Sequence, residues 1–179
     1  RDRDVTGVQT CALPIFPTPT NFKARPTTDF AKEGLFNILE NVYVDFECSP
    51  VALDLFSGTG SIGLEFVSRG CSSVVSVEKD FRHWQFLCKV ARELDVKEWQ
   101  VLKNDVFKFC SHCDKTFDII FADPPYALPN LSDIPDAVLP LLKDGGVFVL
   151  EHGRDYDFNN HARFVEHRNY GSVNFSFFQ

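Results

Sequence analysis

The chain has 179 residues, 44% of them hydrophobic and 19 of them phenylalanine, which fits one domain with a continuous core and excludes a disordered segment. Its formal net charge of −7 argues mildly against a nucleic-acid partner, which usually meets a basic face. No apolar run approaches the roughly 20 residues of a membrane span, so a soluble, cytoplasmic, monomeric protein is expected. Six cysteines, at 11, 48, 71, 88, 110 and 113, are scattered along the chain, which favours reduced thiols over a disulfide framework.

Residues 1–16, RDRDVTGVQTCALPIF, carry neither a structural period nor a signal-peptide pattern. They read as a foreign end resembling translated adapter text, with the native domain expected over 17–179. Deleting them is expected to leave the melting temperature nearly unchanged. Pro26-Thr27-Thr28-Asp29 is a helix entry, and the apolar spacing of Phe30, Leu35, Phe36, Ile38 and Leu39 carries the helix to about Asn41. Val51 to Leu55 is a short strand that breaks at a glycine-rich turn before a helix from about Ser61 to Arg69. A second strand, Val74 to Val77, ends at Glu78. From Phe81 to Leu94 the apolar positions 84, 87, 88, 91 and 94 mark one helical face, with Arg82, Gln85, Lys89 and Arg92 on a solvated one. Trp99 to Leu102 and Phe117 to Ala122 are further strands. Between them Cys110-Ser-His-Cys113 has C-x-x-C spacing, but no second pair stands at zinc-site spacing; it reads as a loop, and no metal is expected. Ile134 to Leu142 is a helix with Pro140 near its end. Gly145-Gly146 then opens a strand, Val147 to Glu151. Arg163 to His167, a Tyr170-Gly171 turn and Val173 to Phe178 form a terminal antiparallel hairpin.

Strands alternating with helices predict right-handed βαβ crossovers and a mainly parallel sheet, whose ligands bind beyond the strands' C-terminal ends. Two segments stand at such ends. The first, Asp54-Leu-Phe-Ser-Gly58-Thr-Gly60-Ser-Ile-Gly63, contains G-x-G-x-x-G, with Glu78 ending the next strand twenty residues after Gly58. That spacing suits a dinucleotide. Asp54, however, would repel a pyrophosphate and could hold a cation, and Asp105 adds an acid after the third strand. Each acid alone also reads as a cap or a surface charge, and for Asp105 alone that reading, cap or surface charge, is favoured. The ordered set suits a cationic, ribose-bearing ligand without phosphates, and S-adenosylmethionine is such a molecule. The second segment, Phe121-Ala-Asp-Pro-Pro-Tyr126, is a corner stiffened by two prolines, presenting a carboxylate and an aromatic ring.

D-L-F-S-G-T-G, E-K-D, N-D-V and D-P-P-Y in this order resemble a class I S-adenosylmethionine-dependent methyltransferase acting on an exocyclic amino group. ARPTTDFAKEGLFNIL (residues 24–39), the D-L-F-S-G-T-G segment and the terminal YGSVNFSFF are similar to the RsmD family, whose members methylate the N2 amino group of one guanine in bacterial 16S rRNA. The resemblance covers about Pro17 to Gln179. It implies a three-layer α/β/α Rossmann-like fold whose seven-stranded sheet is parallel except for the last, antiparallel hairpin strand. It implies S-adenosylmethionine as cofactor and 16S rRNA or an assembling small subunit as partner. The catalytic set implied is Asp123, Pro124, Pro125 and Tyr126. The cofactor set is Asp54, Phe56, Ser57, Gly58, Gly60, Glu78, Lys79, Asp105, Val106 and Asp123. Arg25 and Thr27 are candidates for RNA contact, or they only anchor and cap the first helix. The family's basic, glycine-containing opening strand is replaced here by the 1–16 text, which removes part of the expected RNA surface. Methylation of adenine or another base, an NAD-binding oxidoreductase and a non-catalytic RNA-binding assembly factor are the alternatives to test.

Overall fold

The computed structural model describes residues 29–179. The expectations for residues 1–16 and for Arg25 and Thr27 lie outside them. Seven strands form one sheet in the order β3-β2-β1-β4-β5-β7-β6: β1 Val51–Leu55, β2 Ser73–Glu78, β3 Trp99–Lys103, β4 Phe117–Ala122, β5 Leu142–His152, β6 Phe164–Tyr170 and β7 Val173–Phe178. β1 to β5 pair in parallel, and β7 runs antiparallel to both β5 and β6, as expected for the terminal hairpin. The strand order reverses between β1 and β4, so the crevice for a ligand opens beyond their C-terminal ends.

Helices cover both faces. α1 (Asp29–Ile38), α2 (Ser61–Ser68) and α3 (Phe81–Glu93) bury Leu35, Phe66 and Leu87 against Ala52, Ile119 and Val149 on one side. α4 (Val106–His112) and α5 (Ile134–Val138) bury Val106, Ile134 and Val138 against Leu53, Ile120 and Phe148 on the other. A sheet covered on both faces needs strands apolar at nearly every position, which is why Val51–Leu55 and Phe117–Ala122 lack a polar alternation. Burial extends to the termini of β7, where Phe175 and Phe177 face the α1 side and Phe178 the other. α1 reaches the hairpin turn: a Cβ on Gly34 would lie 2.3 Å from Tyr170 Cε1, and the Phe30 ring meets Tyr170 edge-on at 5.8 Å.

Four local readings change. Cys110-Ser-His-Cys113 is no loop, because residues 106–112 form α4; the side chain of Asp105 caps it by accepting from the N–H groups of Phe107 and Lys108. The missed signal was that cap, followed by Val106, Phe109 and Cys110 at helical spacing. The helix expected over 134–142 ends at Val138 and tightens into a 3₁₀ turn, Leu139–Leu141, around Pro140, which lacks the N–H that an α-helix needs. β5 begins at Leu142 rather than at the glycines. It pairs with Phe117, shifts register, and resumes at Ile119↔Val147, with Gly145 at φ 76° inside the irregular part. α1 is also shorter than expected, passing at Leu39 into a π-helical turn that runs to Tyr43. The five described cysteines are free thiols, and burial pushes Cys71 and Cys110 up to about 12. Among the described residues no helix is long and apolar enough to cross a membrane.

Candidate active site

The register aligns polar residues along the sheet's C-terminal edge. Ser76, Asp54, Phe121 and Val149 stand level on β2, β1, β4 and β5. Just past the last paired residues come Glu78 at the end of β2, Phe56 after β1, Asp123 after β4 and Glu151 on β5; the left-handed backbone at Phe56 breaks the strand alternation, and its ring packs on the α4 and α5 side. Three carboxylates and the glycine-rich turn therefore converge at the point where the strand order reverses.

Asp54 is the most enclosed of the acids, 2% exposed. The Trp99 indole N–H donates to Ser76 Oγ at 2.8 Å, and the Ser76 hydroxyl donates to Asp54 Oδ2 at 2.9 Å. Burial pushes the Asp54 carboxyl up to about 7, and the charge of Glu78 adds to the rise; hydrogen bonds from Ser76, Ser57 and the Gly63 N–H oppose it. Gly63 is required beside this group, since a Cβ there would sit 2.5 Å from Ser76 Oγ and 3.0 Å from Asp54 Oδ2. The turn itself runs through left-handed backbone at Phe56 (φ 59°), Gly58 (φ 50°) and Gly60 (φ 76°). At Gly60 a side chain would also collide with Leu87, 2.2 Å from the built Cβ. Phe56 holds its unfavourable conformation while Ser57 is pinned on both sides, its N–H donating to the Val77 carbonyl and its hydroxyl to that of Asp54.

Glu78 links this turn to the next. Its Oε2 accepts from the Gly58 N–H at 2.8 Å and its Oε1 from the Asp80 N–H at 2.7 Å, which leaves each oxygen a further lone pair. Asp80 caps α3 by accepting from the N–H groups of Arg82 and His83. Asp105 Oδ1 caps α4 while its Oδ2 accepts from Lys79 Nζ at 3.0 Å, and those contacts hold its carboxyl below the usual range, the Lys79 bond first. The cap reading of Asp105 is thus realised, and Val106 begins the helix it caps.

Beyond β4, the Asp123 N–H donates to the Leu55 carbonyl at 3.3 Å, tying the D-P-P-Y corner to the end of β1. Pro124 and Pro125 turn the chain away, and Tyr126 comes back over the sheet edge, 36% exposed. Its ring lies above Gly153, where a Cβ would be 3.5 Å from Cδ2, and its hydroxyl donates to Glu151 Oε1 at 3.2 Å. Glu151 ends β5 at 4% exposure. Next to it, buried His152 contacts Ser176 Oγ and the Gly153 carbonyl, both at 2.8 Å, and burial lowers its basicity. Asn174 donates to the His152 carbonyl and takes the Asn169 amide, so the terminal hairpin braces the end of β5.

Asp54, Phe56, Ser57, Gly58, Gly60, Glu78, Lys79, Asp105, Val106 and Asp123–Tyr126 all belong to this one edge, brought there by four different strand ends. Glu151 is the residue the sequence reading passed over. The signal was available: an acid closing an apolar run, in V-F-V-L-E, as Glu78 closes β2.

A family described as Conserved hypothetical protein 95 matches residues 13–179. The chain belongs to this family, the RsmD methyltransferases. The RsmD-family chain is 34% identical to YlbH of Bacillus subtilis over 139 residues, 74% of this chain and 73% of that one. It is 34% identical to ribosomal RNA small subunit methyltransferase D of Escherichia coli K12 over 130 residues, spanning 73% of this chain and 62% of the relative. Among solved structures, a hypothetical protein of Thermus thermophilus superposes with a TM-score of 0.80 at 28% identity, covering 92% of each chain. The Escherichia coli protein yhhF superposes with a TM-score of 0.75 at 27% identity, over 87% of this chain and 86% of that one. The fold is that of class I methyltransferases, with the seven-stranded sheet and antiparallel C-terminal strand expected. The residues present fit S-adenosylmethionine, the cofactor of that class. Asp54 offers an anionic partner for a cation, and Glu78, which accepts from the Gly58 and Asp80 N–H groups, keeps acceptor capacity for a diol.

Proposed function

We propose that this chain methylates the exocyclic N2 amino group of a guanine in the 16S rRNA of the bacterial small ribosomal subunit. The observation that carries the reading is the D-P-P-Y corner, tied by the Asp123 N–H to the Leu55 carbonyl at the end of β1, where the glycine turn begins. The named relative, a small-subunit rRNA methyltransferase, supports the choice of RNA.

When bound, S-adenosylmethionine supplies an electrophilic methyl group. Asp54 would hold its cationic part and Glu78 its ribose hydroxyls, while Lys79, Asp105 and Val106 would border its base. The nucleophile is the harder problem. A guanine amino group is weakly nucleophilic because its lone pair is delocalised into the ring. Asp123 and the Pro124 carbonyl accept its two N–H groups, which turns the lone pair out of conjugation and towards the methyl carbon. The prolines keep those acceptors still, so the orientation is present before the base arrives. Tyr126 stacks on the base, which must leave its helix to reach the pocket. Methyl transfer would form the N–C bond as the S–C bond breaks, the sulfonium leaving as a neutral thioether, and the alkylated amine would lose its proton to Asp123 or water.

The test is methyl transfer from labelled S-adenosylmethionine to undermethylated small subunits, followed by mapping of the modified base, for the wild type and Asp123→Ala. N2-methylguanine is expected, and Asp123→Ala should lower turnover far more than cofactor affinity, because the lost contact acts on the nucleophile in the transition state. Methylation of another base, or full turnover in folded Asp123→Ala, would refute the mechanism.

A further inference from the structure

Glu151 is buried on β5, one residue past the last pair with β4, Ala122↔Leu150, and accepts from the Tyr126 hydroxyl; Asp123 follows Ala122 directly. The two acids therefore stand at the ends of adjacent strands, beside the D-P-P-Y corner. From this juxtaposition we infer that Glu151 is the residue that selects guanine, by accepting the N1–H of the base whose amino group Asp123 holds. The inference rests on the guanine-N2 reading above.

The chemistry of the base edges makes the assignment specific. Guanine presents two adjacent kinds of donor on its Watson–Crick edge, N1–H and the N2 amino group. Adenine presents an amino group beside an acceptor nitrogen, and so does cytosine. A carboxylate has only acceptor oxygens. Paired with guanine it makes a charge-assisted hydrogen bond; opposite adenine or cytosine it meets a lone pair in a place closed to water. The D-P-P-Y corner alone holds an amino group and cannot make this distinction, because all three bases carry one.

Position favours a direct contact. Glu151 Oε1 accepts from the Tyr126 hydroxyl, so the carboxylate is oriented by the same side chain that covers the base. Its strand partner on β7 is Phe175, fully buried and packed edge-on against Phe121, so the carboxylate is backed by a rigid apolar wall. His152 and Asn174 hold the end of β5 beneath it. A buried carboxylate has to be compensated, and the Tyr126 hydroxyl is one neutral donor. The N1–H of the substrate adds another.

A base analogue isolates the contact. RNA carrying 2-aminopurine at the methylated position keeps the 2-amino group, replaces N1–H with a bare nitrogen and lacks the 6-oxo group, so it is the change in preference on Glu151→Gln that reports the N1 contact. For the full-length wild-type chain, kcat/KM should favour guanine over 2-aminopurine by about 10- to 100-fold, the worth of one hydrogen bond to a charged acceptor. In Glu151→Gln the amide can donate to that bare nitrogen, so the preference should fall to about threefold or less, or reverse. The ratio between two substrates on one enzyme does not depend on the fraction folded.

The inference is overturned if the wild type methylates both RNAs equally. It is overturned equally if Glu151→Gln keeps the full preference for guanine, or if folded Glu151→Gln is inactive on both RNAs. Product mapping separates these failures from the earlier one: methyl on a base other than guanine removes the guanine-N2 reading itself, whereas N2-methylguanine made without selectivity removes only the role of Glu151.

Discussion

Asp54→Asn keeps the shape of the side chain and removes its charge. In the native chain the carboxyl is raised from 3.8 to about 7, mainly by burial. Its folded pKa lies above its unfolded one, so the native state binds more protons between those values. Its contribution to stability is therefore intact below about pH 4 and declines as pH rises towards 7. A rise of that size corresponds to at most about 4 kcal/mol of destabilisation above pH 7. The amide oxygen of asparagine can still accept from the Ser76 hydroxyl, so the Trp99–Ser76 chain survives the substitution. Asp54→Asn should thus melt at a higher temperature than the wild type at pH 8 and match it near pH 4. The difference between the two curves should open progressively between those limits. The same variant should bind S-adenosylmethionine more weakly, because a cation then faces a neutral amide. Urea denaturation across the pH range, paired with calorimetry of cofactor binding, measures both. In the wild type at about pH 6.5, binding should release protons, visible as a dependence of the binding heat on the buffer's ionisation enthalpy. Equal stability of the two proteins at pH 4 and pH 8 would refute the claim that Asp54 ionises at a cost to the fold.

Gly63→Ala should lower stability by about 1–3 kcal/mol, because the added methyl meets Ser76 Oγ, Asp54 Oδ2 and the Trp99 indole nitrogen at 2.5, 3.0 and 3.1 Å. An unchanged urea midpoint would show that α2 can move away from β1 freely. Tyr126→Phe should keep much of the methyl transfer since the ring remains, whereas Tyr126→Ala should lose about 1–3 kcal/mol of base stacking, read as kcat/KM on RNA. Equal losses in both variants, following the folded fraction, would reduce Tyr126 to a structural residue of the turn.

Strand and helix alternation, the glycine turn and the acids that close β1 and β2 were legible in the sequence. So was the D-P-P-Y corner. Each is a local signal: apolar runs bounded by turn residues, glycines where left-handed backbone is needed, prolines that stop a strand. Asp105 shows where local signals end. Its role as the cap of α4 was open in the sequence, and the helix it begins was missed because seven residues give too short a period to stand out. Glu151 shows the larger limit. An acid at the end of one strand carries no information about the strand beside it. Only the pairing of β5 with β4, whose last pair is Ala122↔Leu150, and the return of Tyr126 over the edge bring it to the D-P-P-Y corner. The same holds for Asp54, whose pKa is raised by burial against the hydrogen bond that Ser76 brings from another strand. Local chemistry determined which groups this protein has. Long-range pairing decided which of them meet, because sheet order and register join residues that the chain keeps far apart.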